Sequence, residues 1–213
     1  MSGGAVIESA EGQLNGQMTL DAGKWSIVGT FINENSDLTI RNGGSLTATD
    51  ILPGELSSFT RIDGSGSRMR ANGLLDHVGN IRVKSGGVLS AGRADLRVGA
   101  VTADANGSFD VDGDLSSDYG LSVFNGGSMT ARRLTIGTTP GRSGLLSIQD
   151  SSSETFIAGE ILAGNGGEAT ILAKNGATVT SQSLKAGIEL TGQGHLSVDT
   201  KSQTRFPRIL SSA

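Results

Sequence analysis

The chain has 213 residues, with 17 basic and 21 acidic side chains, a formal net charge of −4 and no cysteine. The absence of cysteine excludes disulfides and thiolate chemistry, and a weakly acidic chain without a basic face is not expected to bind nucleic acid. Glycine contributes 33 residues, whereas aromatic residues make up 4% and hydrophobic residues 36% of the chain. This composition predicts short strands and many tight corners around a thin core.

The first residues, Met1-Ser2-Gly3-Gly4, have neither the basic start nor the apolar stretch of a secretory signal peptide. No run of about 18 apolar residues follows, so we expect neither a transmembrane helix nor insertion of this chain into a membrane. If the protein is exported, we expect this sequence to be a fragment or to lack its signal. Residues 1–16 are predicted to form an N-terminal cap or the start of the first coil.

Glycine-containing turns recur roughly every 40 to 50 residues along the chain. They are Asn42-Gly43-Gly44, Ser85-Gly86-Gly87, Asn125-Gly126-Gly127 and Asn175-Gly176-Ala177. Glycine permits positive φ, and asparagine tolerates the left-handed conformation while bonding locally. Each triplet is therefore predicted to be a structural corner.

Two sets of apolar residues flank these turns at constant distances. The set before the turns is Leu38, Ile81, Leu121 and Ile171, and the set after them is Leu46, Leu89, Met129 and Val179. Mostly polar residues separate the apolar ones, which is the period-two alternation of strands with one inward and one outward face. No comparable stretch has a 3.6-residue period, so we predict essentially no helix.

The second half of each repeat is looser, but residues 144–164 resemble residues 59–75 in their alternation. Each repeat is therefore predicted to contain two coils of about twenty residues. The predicted fold is all-β, a single right-handed parallel β-helix (β-solenoid) of about ten coils, roughly 45–50 Å long at about 4.8 Å per coil. Residues 17–199 would form the solenoid, and residues 200–213 a C-terminal tail or incomplete coil.

Two other folds could produce part of this pattern. Asn-Gly between alternating strands is also a hairpin signal, which would suit an antiparallel sandwich, and propeller blades have a similar repeat length. The solenoid is favoured because like residues recur at equivalent inward positions, where they would stack as ladders. One Trp and one Tyr cannot supply the recurring aromatic signature of propeller blades.

Two stretches carry a resemblance to a known family. Residues 120–137 read GLSVFNGGSMTARRLTIG, and residues 162–179 read LAGNGGEATILAKNGATV. They resemble the glycine-rich repeats of bacterial autotransporter passenger domains, and the likeness extends over roughly residues 17–198. The resemblance implies a β-solenoid that is extracellular or displayed on the bacterial cell surface, acts in adhesion or aggregation, and has no shared catalytic residues.

The leading hypothesis is accordingly a non-enzymatic, surface-exposed or secreted structural and adhesive module that uses no cofactor. Its partners would be host matrix, glycans or a like chain, contacted through stacked polar side chains. One alternative is a polysaccharide-acting β-helix enzyme or a phage tailspike-like fragment. Another is a cytosolic scaffold that polymerises end to end.

A cluster of carboxylates provides the one candidate metal site. Asp110, Asp112 and Asp114 lie close together near a glycine, and oxygen ligands of this kind can hold calcium. The spacing of an EF-hand is missing, however, and alternate residues of a strand share one face. An acidic outward face is therefore the simpler interpretation.

An enzyme on this fold would need carboxylates and basic groups that converge across coils. Asp63, Asp76 and Arg61 are candidates, although no spacing singles them out, and we assign no catalytic residue. His77 and His195 stand alone and are expected to be ordinary surface or corner residues.

Exposed aromatic rings could serve as platforms for sugars. The candidates are Trp25, Phe31, Tyr119 and Phe124. Phe124 has outward parity beside a predicted corner and is the first choice, although a ring in this position more often covers its neighbour in the next coil.

Overall fold

The computed structural model describes residues 5–53, 58–188, 191–199 and 201–211. No helix in this part of the chain is long and apolar enough to cross a membrane. The 23 strands are β1 (Val6–Ser9), β2 (Gly12–Asp21), β3 (Lys24–Ile27), β4 (Thr30–Arg41), β5 (Ser45–Ala48), β6 (Asp50–Pro53), β7 (Phe59–Asp63), β8 (Arg68–Val78), β9 (Asn80–Lys84), β10 (Val88–Val98), β11 (Ala100–Asp104), β12 (Ser108–Val111), β13 (Asp114–Ser117), β14 (Gly120–Phe124), β15 (Ser128–Ala131), β16 (Arg133–Ile136), β17 (Ser143–Gln149), β18 (Glu154–Ala163), β19 (Glu168–Lys174), β20 (Thr178–Ala186), β21 (Gln193–Val198), β22 (Gln203–Arg205) and β23 (Arg208–Ser211).

Each strand pairs in parallel with the strand one coil further along the chain. The chain therefore winds as a β-solenoid of about nine turns, which confirms the predicted fold with a slightly smaller number of coils. β1 and the first half of β2 belong to the first coil, and β22 and β23 begin a further coil. The paired structure thus extends beyond residues 17–199 at both ends.

Every coil has three sides, which stack into three sheets that we call faces A, B and C. Face A contains β1, β3, β5, β12, β15, β22 and the first halves of β8, β10, β18 and β20. Face B contains the first halves of β2 and β4, the second halves of β8, β10, β18 and β20, and β6, β13, β16 and β23. Face C contains the remaining strands and the second halves of β2 and β4.

The core consists of ladders, each formed by one inward residue from every coil. One ladder on face C is Leu38, Thr60, Ile81, Val101, Leu121, Leu146 and Ile171. One ladder on face A is Leu46, Met69, Leu89, Phe109, Met129, Thr155 and Val179. All of these side chains are buried. The residues that flank the predicted turns occupy every second position of each ladder, so the structural repeat is one coil and the sequence repeat spans two.

The predicted corners lie where face C passes into face A. At the first of them Asn42 and Gly43 have φ of 53° and 79°, and Gly44 N donates to Arg41 O at 2.9 Å. A Cβ atom on Gly44 would lie 2.2 Å from the Leu20 carbonyl oxygen of the preceding coil, so only glycine fits there. The same hydrogen-bonded turn recurs at residues 85–87, 125–127 and 175–177.

A charged ladder beside these corners gives one physical reason for a repeat of two coils. In successive coils the last residue of face C is Asp21, Arg41, Asp63, Lys84 and Asp104. Arg41 Nη2 lies 2.9 Å from Asp21 Oδ2, and Lys84 Nζ lies 2.9 Å from Asp63 Oδ2. Because like charges directly opposite one another on paired strands are destabilising, the sign alternates from coil to coil.

Candidate binding groove

Two adjoining cavities form one open groove on face B. The first, of about 310 Å³, is lined by Asp114, Arg132, Arg133, Gly159, Glu160, Gln182 and Ser183. The second, of about 450 Å³, shares Asp114 and Arg133 with the first and is also lined by Arg93, Asp95, Ser116 and Thr135. We call the two together the binding groove. A third cavity, of about 500 Å³, opens on the same face near the N-terminus, beside Ile32 and Leu52.

The strand register places the charged residues of the binding groove in line along the rod. Asp114 of β13 is paired with Arg133 of β16, and Glu160 of β18 is paired with Ser183 of β20. Arg93 precedes Ala94, which is paired with Leu115 next to Asp114. With about 4.8 Å between paired strands, the groove crosses five coils and is roughly 19 Å long.

Ion pairs hold the side chains of the groove in place. Asp114 Oδ1 accepts hydrogen bonds from Arg132 Nε at 3.2 Å and from Arg132 Nη2 at 3.0 Å. Arg133 Nη2 lies 3.1 Å from Glu160 Oε1, and Lys185 Nζ lies 2.6 Å from Glu160 Oε2. The hydrogen bond from Lys185 holds the pKa of Glu160 below its usual value, so this group remains a carboxylate at neutral pH.

Two further carboxylates of face B, those of Asp95 and Asp76, also accept hydrogen bonds. Asp95 accepts a hydrogen bond from Ser116 Oγ at 2.8 Å, and Asp76 accepts one from Arg97 Nε at 3.0 Å. Asp63, in contrast, lies on face C in its pair with Lys84. The guanidinium of Arg61, also on face C, lies 5.6 Å from the centroid of the Phe59 ring. The structure therefore does not bring together Asp63, Asp76 and Arg61, the enzyme candidates of the sequence.

The three calcium candidates are engaged separately. Asp110 accepts hydrogen bonds from Ser108 Oγ at 3.0 Å and Thr130 Oγ1 at 2.9 Å, on face A. Asp112 follows β12 and lies 3.6 Å from Arg70 Nη2, whereas Asp114 begins β13 on face B. In residues 5–53, 58–188, 191–199 and 201–211, no group of three or more His, Asp or Glu side chains is placed to hold a metal ion.

The expectation that His77 is a surface or corner residue is wrong. Its side chain is only 1% exposed and lies inside the solenoid, because His77 has the same inward parity on β8 as Leu75 and is paired with Leu96. Neither ring nitrogen has a hydrogen-bond partner among the described residues. Burial lowers the pKa of His77 to about 4, so the ring is neutral at pH 7. His195 is exposed on face C.

The aromatic candidates divide between core and corner. Trp25 and Phe31 pack edge to face with centroids 5.4 Å apart, and Phe31 is fully buried. The guanidinium of Arg142 lies 5.4 Å from the centroid of the Tyr119 ring. Phe124 is half-buried at the end of β14, on face C. None of the four is an open platform for a sugar ring.

Sequence reasoning missed two features of the structure, an exposed aromatic ring and a buried carboxylate. Phe156 is 51% exposed on face A, as its parity next to the inward Ile157 could have indicated. Asp118 accepts hydrogen bonds from Thr138 N at 2.6 Å and Thr139 Oγ1 at 2.6 Å, which hold the loop after β16 on the corner. Burial alone would raise the pKa of Asp118, but the hydrogen bonds from both threonines outweigh it and lower the pKa.

No family model matches this sequence, and neither does any curated protein or solved structure. The resemblance of residues 120–137 and 162–179 to autotransporter passenger repeats therefore remains a prediction from the sequence.

Proposed function

We propose that this chain is a non-enzymatic structural and adhesive module that binds an extended polymer along face B. The observation that carries the proposal is the binding groove itself, which crosses five coils and places charged side chains in line at the spacing of the strands. Solenoids commonly use such extended surfaces for binding, since every repeat contributes equivalent contacts. Sites for small molecules are instead concave and enclose most of the ligand.

The protonation state of Glu160 supports a role for this side chain in binding rather than as the acid of a glycoside hydrolase. Hydrolysis of a glycosidic bond needs a carboxylic acid whose pKa is raised, so that it is protonated near neutral pH. The hydrogen bond from Lys185 instead lowers the pKa of Glu160, which lies in the binding groove.

We further propose that the module acts outside the cell, on a bacterial surface or after secretion. This part of the proposal rests on the resemblance to autotransporter passenger repeats. Of the two stretches that carry it, residues 120–137 contribute Arg132, Arg133 and Thr135 to the binding groove, and residues 162–179 contribute Leu162 and Asn165.

The proposal is tested by measuring retention of the purified chain on immobilised polysaccharides and on host extracellular matrix. We expect retention on at least one polymer, and we expect Arg133→Ala to reduce it about tenfold, because a hydrogen bond to a charged group is lost. The matched control is Arg61→Ala, which removes an exposed guanidinium from face C. Loss of binding in both variants, or release of new reducing ends from a polysaccharide by the unmodified chain, would overturn the proposal.

A further inference from the structure

Resting on the proposed function, we infer that the binding groove is selective for a neutral, hydroxyl-rich polysaccharide lying along the rod axis. The charges of the groove, its hydrogen-bonding groups and its length all point to this class of polymer.

The charges that line the groove balance. Its lining cations are the guanidinium groups of Arg93, Arg132 and Arg133, and its lining anions are the carboxylates of Asp95, Asp114 and Glu160. Lys185, which does not line either cavity, lies at the edge with its Nζ 2.6 Å from Glu160 Oε2. A ligand anion attracted by one guanidinium would meet a carboxylate in the next coil, about 4.8 Å away, and the repulsion would offset a large part of the attraction because the Coulomb energy falls only as 1/r. A polyanion therefore gains little, and a polycation gains little for the same reason.

The hydrogen-bonding groups of the groove suit hydroxyls. Guanidinium groups only donate and carboxylates only accept, whereas a sugar hydroxyl does both. Neighbouring hydroxyls on a sugar ring can therefore accept from Arg133 and donate to Glu160 or Asp114. Arg132 bonds only Oδ1 of Asp114, so Oδ2 has no protein partner within the described part of the chain.

The ion pairs also fix these groups before a ligand arrives. Arg132 is paired with Asp114, and Arg133 and Lys185 are paired with Glu160. Groups that are already ordered lose less conformational entropy on binding, so weak contacts with hydroxyls can add to a measurable affinity.

The length of the groove indicates a polymer rather than a single sugar. Five coils span roughly 19 Å; four of them contribute charged side chains, and the fifth contributes Gln182 and Ser183. Gly159, next to Glu160 in the groove, has no side chain to interrupt it. A chain of sugars along the rod would meet polar contacts in successive coils and gain from their multiplicity.

Affinity electrophoresis tests the inference by measuring how strongly a polymer in the gel retards the full chain. The neutral probes are dextran, galactomannan and xyloglucan, the acidic probe is polygalacturonate, and a further gel contains an unstructured polypeptide. We expect a neutral polysaccharide to bind at least about tenfold more tightly than polygalacturonate. We also expect its binding to change little with added salt, because no net charge is neutralised.

Two variants sharpen the test. Glu160→Gln leaves the groove with excess positive charge, so we expect weaker binding of the neutral chain and stronger, salt-sensitive binding of polygalacturonate. Arg132→Gln replaces a side chain that is 67% exposed, so we expect the fold to be kept. The groove then carries excess negative charge, and we expect weaker binding of both the neutral polysaccharide and polygalacturonate. Asp63→Asn is the control of equal charge change on face C, and circular dichroism confirms that each variant is folded.

The outcomes separate the two proposals. If polygalacturonate binds more tightly than every neutral probe and salt abolishes the binding, the inference is wrong while the adhesive function stands. If Glu160→Gln affects neutral and acidic probes as little as Asp63→Asn does, the groove is not the site, and both the inference and the proposed binding along face B are wrong. If only the polypeptide binds, or if nothing binds here or to host matrix, the proposed function is wrong as well.

Discussion

The two ends of one inward ladder on face B differ in polarity. Near the N-terminus the ladder contains Asn33 and His77, and further along it contains Ile136 and Ala163. All four side chains are buried. A narrow, stacked interior thus accepts polar residues, but the energetic consequence depends on whether the neighbouring coil supplies a partner.

Asn33 and His77 illustrate the two possibilities. Asn33 donates from Nδ2 to Thr60 Oγ1 at 3.2 Å and also accepts a hydrogen bond from Ser36 Oγ, so its polar atoms are satisfied. Both nitrogens of His77 lack a partner in the part of the chain that the structure describes. The polar end of the ladder is therefore partly a stabilising network and partly a liability, whereas the apolar end depends on packing alone.

The largest effect is expected from damage to the apolar end. Ile136→Ala should lower the free energy of unfolding by roughly 3 to 4 kcal/mol, because a fully buried side chain is replaced by a cavity. Denaturant unfolding followed by circular dichroism measures the change. Val28→Ala, at an exposed side chain, should shift stability by less than about 0.5 kcal/mol. Equal losses in the two variants would contradict a core packed along this ladder.

The second-largest effect is expected when the pH is lowered, because His77 at the polar end of the ladder then favours the unfolded state. The pKa of His77 is about 4 in the folded chain and 6.5 in an unfolded one, so between these values the unfolded state binds more protons. Stability is therefore fully present above about pH 6.5 and falls as the pH is lowered towards 4, by about 3 kcal/mol in total. Unfolding free energies measured between pH 7.5 and pH 4 should show this slope.

The control for the acid effect is His77→Leu, which matches the adjacent Leu96 in polarity. This variant should lose most of the slope between pH 6.5 and 4. Several aspartates have a pKa below the ordinary 3.8, so they are protonated only at lower pH than His77. The pKa of Asp199, for example, is lowered to about 2 by hydrogen bonds from the Asn175 backbone amide, from Ser202 and from the Lys201 backbone amide. An unchanged slope in His77→Leu would assign the acid sensitivity to another group.

The smallest effect is expected at two buried threonines. Thr155 Oγ1 has no hydrogen-bond partner among the described residues, whereas Thr60 Oγ1 accepts from Asn33. Thr155→Val should therefore stabilise the chain by about 1 kcal/mol, and Thr60→Val should destabilise it by a similar or larger amount. Thermal unfolding of both variants tests the contrast, and changes of the same sign would contradict it.

The sequence predicted the solenoid and two of its ladders because the signals involved are local. Alternation over four or five residues decides which side chains point inward, and Asn-Gly-Gly at residues 42–44 and 125–127 forms a hydrogen-bonded turn. The intervening corners escaped prediction because they use other residues, such as Ala105 and Asn106 with φ of 47° and 62°, or Asp150 with φ of 77°. The buried position of His77 follows from the same alternation, which gives it the inward parity of Leu75, although an isolated histidine more often lies on the surface.

The binding groove could not be predicted in this way. Asp114, Arg133 and Glu160 are about twenty or more residues apart in the sequence, and no motif or spacing connects them. Their alignment depends on the register between coils, which varies with the length of every corner and loop. Coils of 19 and 27 residues keep this register here, and a strand that returned one residue out of register would move a different side chain into the line.

Local chemistry in the chain was thus sufficient to predict a stack of coils with small corners and a thin apolar interior. Only the tertiary structure decided which outward side chains face one another, which carboxylates are paired and where a groove opens. The physical reason is that backbone alternation and turn conformation are properties of neighbouring residues. Contacts between coils depend instead on how many residues each coil uses to return to the same side.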